Sequence, residues 1–345
     1  MLRGRSRCGR WSAPSNWCCA PKYSIRTPDN ANQFTIASSM TATRGWQGHP
    51  MADPRVRDEV LTFGEDERLV GIVSHPSGGE RIARGATLAP GTLDPGLILL
   101  NAGVLHRVGP HRLHVALARR LAGGGITGLR LDLGGIGDSV ASPDAANFRE
   151  SAVADTRLAM TTMTEMFGIP RFVLFGICAG ADNSIATALV DDRVAGIVLI
   201  DPPTHATRRS RLRYLYTRVA KRGRPQDVVR WGFKAAGRGL QHAIAQIRGG
   251  HDPERASGKR EAPPLPVYRE QWTQLVERGV RILAIFSGIH GAGYNHPDQL
   301  FEWFPALRGQ IDHAYFSDAN HTFTELAVQV ELVDTVTRWM AKNFG

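Results

Sequence analysis

At 345 residues the chain is long enough for two average domains or one large α/β unit, and its hydrophobic content of 42% excludes disorder over most of that length. No apolar run approaches the roughly 18 residues of a membrane-spanning helix, the longest being residues 96–100 and 194–200, so an integral membrane protein is not expected. The net charge of +10 is uneven: residues 1–50 carry seven Lys/Arg against one acid and residues 202–262 carry fifteen against four, which leaves the rest mildly acidic and removes the case for nucleic acid as a general partner. Cys8, Cys18 and Cys19 crowd the first twenty residues and Cys178 stands alone after them, so no disulfide framework is expected. A cytoplasmic location is expected.

Residues 1–50 are rich in Arg, Ser, Pro and Trp, lack hydrophobic periodicity and show no apolar signal core. They read as a disordered extension, either a transit segment or a start placed upstream of the natural one at Met51. From Glu59 short apolar runs alternate with helical stretches, the pattern of a sheet with crossover helices. Strands are predicted at 60–63, 69–74, 97–101, 128–132, 172–176, 195–200, 282–286 and 313–316, several of them apolar throughout, as buried parallel strands are. Helices are predicted at 111–122, 145–167, 181–190, 264–278, 297–304 and 322–342. The fold class is therefore α/β, a doubly wound, mostly parallel sheet of eight strands. The alternation breaks once, at residues 202–262, where helical stretches at 212–220 and 228–247 read as an inserted basic lid between core segments 51–201 and 263–345.

Gly176-Ile177-Cys178-Ala179-Gly180 follows a predicted buried strand and precedes a helix. Such a sharp turn needs flanking glycines, because side chains there would meet the neighbouring backbone, and it holds its middle residue exposed at a helix N-terminus. This arrangement resembles the nucleophile elbow of the α/β-hydrolase superfamily, with Cys in the place usually held by Ser. A thiol beside a helix N-terminus and a His ionises more readily than a free one of pKa about 8.5, so Cys178 is the candidate nucleophile. Simple packing is the alternative for a lone Cys.

Other stretches are read against the same resemblance. Asp132-Leu133-Gly134-Gly135-Ile136-Gly137-Asp138-Ser139 is similar to the D-x-x-G-x-G-x-S loop of these hydrolases, mostly structural there; it lacks the third glycine of a dinucleotide fingerprint, and no G-K-[ST] follows. Asn101-Ala102-Gly103-Val104-Leu105 leaves its strand where the superfamily supplies one oxyanion-hole donor, which implies a hole made by the backbone N–H groups of Ala179 and of Val104 or a neighbour. Arg107-Val108-Gly109-Pro110-His111-Arg112 resembles the R-V-G-x-H-R stretch of exosortase-associated hydrolases. Arg107 or Arg112 is there either to hold an anionic substrate or for structural pairing. His106, His111 and His114 have no Cys or carboxylate partner at ligand spacing, so neither a metal nor another cofactor is expected.

Asp318-Ala319-Asn320-His321-Thr322 follows the last predicted strand, and Thr322 with Glu325 reads as a capping box starting the final helix near Phe323. His321 then lies in the preceding loop and is the candidate base, in the chain order the superfamily uses. The usual place for the acid, after strand 282–286, reads Ser287-Gly288-Ile289-His290-Gly291 and holds no carboxylate. Asp201, ending the neighbouring strand, is the preferred acid; Asp298 is the alternative, and a Cys–His dyad with no acid is a third. The resemblance implies hydrolysis of an ester, thioester or lactone through an acyl-Cys intermediate. Acyl transfer, as in polyester synthases with G-x-C-x-G elbows, and a non-catalytic binding protein are the rivals. The expected partner is a small acyl substrate; the basic lid reads either as a surface for an anionic acyl carrier or for peripheral membrane contact, or as a solvated face that aids solubility.

Overall fold

The computed structural model describes residues 54–77, 95–142, 147–222 and 262–345. Within them eight strands form one sheet: β1 (Val56–Phe63), β2 (Leu69–Pro76), β3 (Gly96–Leu99), β4 (Gly128–Asp132), β5 (Phe172–Ile177), β6 (Val194–Ile200), β7 (Arg281–Ser287) and β8 (Asp312–Phe316). Their order is β1-β2-β4-β3-β5-β6-β7-β8. β2 pairs antiparallel with both β1 and β4, and β4, β3, β5, β6, β7 and β8 pair parallel. All eight lie where the sequence pattern expects them, most extended by a residue or more at one end.

The apolar runs need cover on both faces, and helices supply it. On β3, Ile98 faces a core with Leu129, Met160, Ile185 and Trp272, while Leu97 and Leu99 face a second core with Leu117, Phe175, Val336 and Trp339. Helices α2 (Phe148–Phe167), α3 (Ala179–Val190) and α5 (Leu265–Glu277) therefore cover the first face. Helices α1 (Leu113–Ala122) and α7 (Leu326–Phe344) cover the second. The chain moves from β3 to β4 on one side and then to β5 on the other, so the loops leaving β3 and β5 part from each other at a topological switch point, where open α/β sheets form their crevice.

One sequence-based boundary is corrected. The final helix starts at Leu326, not near Phe323, and Glu325 stands at its N-cap with no side-chain capping bond. A tight turn wins instead: Phe323 N–H donates to Asn320 O at 3.1 Å and Thr324 N–H to Asn320 Oδ1 at 3.0 Å. Phe323 is held at φ 50° with its ring buried. Burial of that ring outweighs the capping preference.

Of the expected lid, α4 (Arg208–Arg222) is described; the stretch predicted at 228–247 lies outside the described residues. α4 docks on the loop after β7, with Ser210 Oγ donating to Ala292 O at 2.7 Å and Asn295 Nδ2 to Ser210 O at 2.8 Å. A short helix α6 (Gln299–Trp303) follows that loop. No helix among the described residues is long and apolar enough to cross a membrane.

Candidate active site

β5 ends at Ile177 and α3 begins at Ala179, so Cys178 alone turns the chain. Its φ of 55° and ψ of −115° belong to a conformation that costs an L-residue about 1–3 kcal/mol and persists only when the surroundings impose it. They do so by contact on every side. Cys178 N–H donates to Ile200 O at 2.9 Å, and Cys178 O accepts from Ala181 N–H at 3.0 Å. A Cβ at Gly176 would lie 2.1 Å from the Gly180 carbonyl, and one at Gly180 would lie 2.7 Å from Asn101 O. The half-buried thiol sits at the N-terminus of a twelve-residue helix, whose dipole favours negative charge.

Asp201 follows β6 at φ 48° and is fully buried. Its Oδ1 accepts from Ser287 N–H at 2.7 Å, and its Oδ2 accepts from Ser287 Oγ at 2.7 Å and from His321 Nδ1 at 2.7 Å. His290 Nε2 stands 2.9 Å from Oδ1, close enough for an ion pair but too oblique for a hydrogen bond. Burial by itself would raise the Asp201 carboxyl; the approach of His290 and His321, the His290 charge and the Ser287 N–H reverse that and hold it well below the usual carboxylate range. His321 lies in the loop after β8, where Asp201 and the Cys178 thiol both act on its ring. The bond to Asp201 first, then the bond to Cys178 and the charges of both, outweigh burial and raise the imidazole to about 9.

The structure thus brings Cys178, His321 and Asp201 together from the C-terminal ends of β5, β8 and β6. Asp298 is elsewhere: more than half exposed at the N-cap of α6, it lies 3.6 Å from Arg308. Ala179 opens α3 and Val104 is 89% exposed in the turn after β3; neither N–H meets an acceptor among the described residues. Arg107 is paired, reaching Asp132 and Asp138. His114 is fully buried with its ring edge-on to Phe175, and burial lowers it to about 3, whereas His111 Nε2 lies 3.2 Å from Thr324 Oγ1.

Ser287 and His290 are the residues that reading the sequence missed as partners of the acid. Their position at the end of β7 and in the turn that follows it, on the strand beside β6, was the available signal. Asp201, His290 and His321 offer one oxygen and two nitrogens within 4.8 Å of one another, a set able to hold a metal ion. The hydrogen bonds already described account for the same carboxylate.

A mostly parallel eight-stranded sheet with a strained residue at the β5–α3 turn, a His after the last strand and a buried acid between them defines the α/β-hydrolase fold, and this chain has it. Among solved structures it is similar to an esterase of Pyrococcus furiosus, 11% identical over 84% of this chain and 92% of that one, with a TM-score of 0.51. It is also similar to a puromycin-hydrolyzing peptidase of Mycobacterium tuberculosis, 14% identical over 86% of this chain and 41% of that one, with a TM-score of 0.52. No family model and no curated protein sequence matches the chain.

Proposed function

We propose that the chain is a hydrolase that cleaves an ester, thioester or lactone through an acyl-Cys178 intermediate. The observation that carries this reading is the continuous path from a strained Cys178, through His321, to the buried carboxylate of Asp201. With His321 raised to about 9, the imidazole holds a proton at neutral pH, and that positive charge together with the helix N-terminus favours the thiolate form of Cys178 as the attacking species. Sγ attacks the acyl carbon and the carbonyl π pair moves to oxygen, where the N–H groups of Ala179 and Val104 receive the developing charge. Collapse expels the alkoxide or thiolate, which takes the proton from His321 Nε2. Acylation removes the sulfur's charge, one of the causes that raised the imidazole. His321 then accepts a proton from water as that water attacks the acyl-Cys; collapse releases the acid, and the proton returns to the Cys–His pair.

The site also favours an anionic group on the substrate. α4 carries exposed Arg208, Arg209, Arg211 and Arg213, and Tyr214 on the same helix packs on Gly291, next to His290. An acyl thioester of an anionic carrier fits this better than a neutral ester.

Intact-mass analysis after addition of a stoichiometric p-nitrophenyl ester tests the reading. An acyl adduct on Cys178, together with a loss of about three orders of magnitude or more in kcat for Cys178→Ala, is expected. Unchanged turnover in that variant overturns it.

A further inference from the structure

We propose that Arg107 and Asp132, through Asn101, are positioning residues for the oxyanion donors, an inference that rests on the acyl-Cys reading. Asn101 is the hub. Its Nδ2 donates to Leu105 O at 2.9 Å and to Asp132 Oδ1 at 3.1 Å, and its Oδ1 accepts from Leu133 N–H at 2.8 Å. Asp132 closes β4 with no exposure. Its Oδ1 also accepts from Arg107 N–H at 2.6 Å, and its Oδ2 accepts from the Arg107 guanidinium and from Asp138 N–H at 3.2 Å. The guanidinium reaches Asp138 as well, at 2.6 Å.

Both ends of the 101–107 loop are thereby tied to the end of β4. Between them lies a turn in which Leu105 N–H donates to Ala102 O at 3.2 Å, Gly103 adopts φ 62°, and nothing among the described residues stands within 4 Å of a Cβ built at Gly103. Among the described residues the turn has no packing on the Gly103 side to hold it. Its height above the elbow is set by the two tied ends and by the contact of Gly180 with Asn101 O. A buried carboxylate with an arginine, two backbone donors and an amide is costly to assemble unless every member is satisfied, and here it fixes the loop whose N–H groups must meet a transition-state oxygen within a few tenths of an ångström.

Two reactions at the same sulfur test the proposal. Alkylation by iodoacetamide is a displacement at a saturated carbon: sulfur bonds to CH2, iodide leaves with its electron pair, and no oxyanion forms. Acylation by a p-nitrophenyl ester passes through an oxyanion. For Arg107→Met the acylation rate should fall roughly 10-fold or more, up to the roughly 100- to 1000-fold loss of an oxyanion donor itself, with KM little altered and the alkylation rate of Cys178 unchanged. Arg107→Lys should recover part of the loss, because a point charge meets one carboxylate but not both in the fork geometry. Asp132→Asn, with its thermal midpoint recorded, provides a second variant should Arg107→Met fold poorly. Parallel falls in alkylation and acylation, or no fall in either, overturn the proposal. Absence of alkylation at Cys178 in the unaltered protein would instead overturn the acyl-Cys reading itself.

Discussion

Three hydrogen bonds and a second imidazole converge on Asp201, and this concentration decides what each change there does. Replacing it with Asn keeps the shape but removes the charge that favours imidazolium and allows the wrong tautomer at His321, so kcat should fall by about 10⁴; Asp298→Asn should leave turnover unaltered. The pH dependence follows in sign. His321 keeps its proton up to about 9, so kcat/KM should decline above that pH as the leaving group loses its acid. In Asp201→Asn the first cause of the raised value is gone, and the alkaline limb should move toward lower pH. Rate profiles of both proteins from about pH 6 to about pH 10.5, corrected for uncatalysed hydrolysis and bracketing the alkaline limb, would check the shift.

The two longest described helices start in different ways, and their caps should respond differently. Asn147 caps α2 through Oδ1, which accepts from Glu150 N–H at 3.0 Å. Asn147→Ala should therefore lower stability by about 1 kcal/mol. Glu325 at the head of α7 makes no such bond, so Glu325→Ala should change stability by no more than about 0.5 kcal/mol; urea midpoints give both values. The sequence signature was a real capping box, and it failed because the turn at Asn320 uses the same residues to bury Phe323 and to face His321 toward Asp201. At the elbow the local rule held. Gly176→Ala should destabilise by about 1–3 kcal/mol or more, since the added methyl meets backbone that cannot move aside.

At the scale of the whole molecule, residues 49–345 form one compact unit, and a chain begun at Met51 is expected to keep the thermal midpoint and turnover of the full length. Lost activity on truncation would assign the first fifty residues a role in the site. If the basic α4 steers an anionic carrier, kcat/KM for a CoA thioester should fall as salt rises while that for a neutral ester stays flat. The strands, their burial on two faces, the glycines around Cys178 and the placement of His321 were legible in the sequence, because each is dictated by periodicity or by sterics within a few residues. That Asp201 rather than Asp298 meets His321 was not legible there. It depends on β6 lying beside β7, which puts Ser287 and His290 within reach of a carboxylate 86 positions earlier in the Ser287 pairing. Which carboxylate can be buried is decided by the donors that surround it, and those donors are gathered only by the tertiary fold.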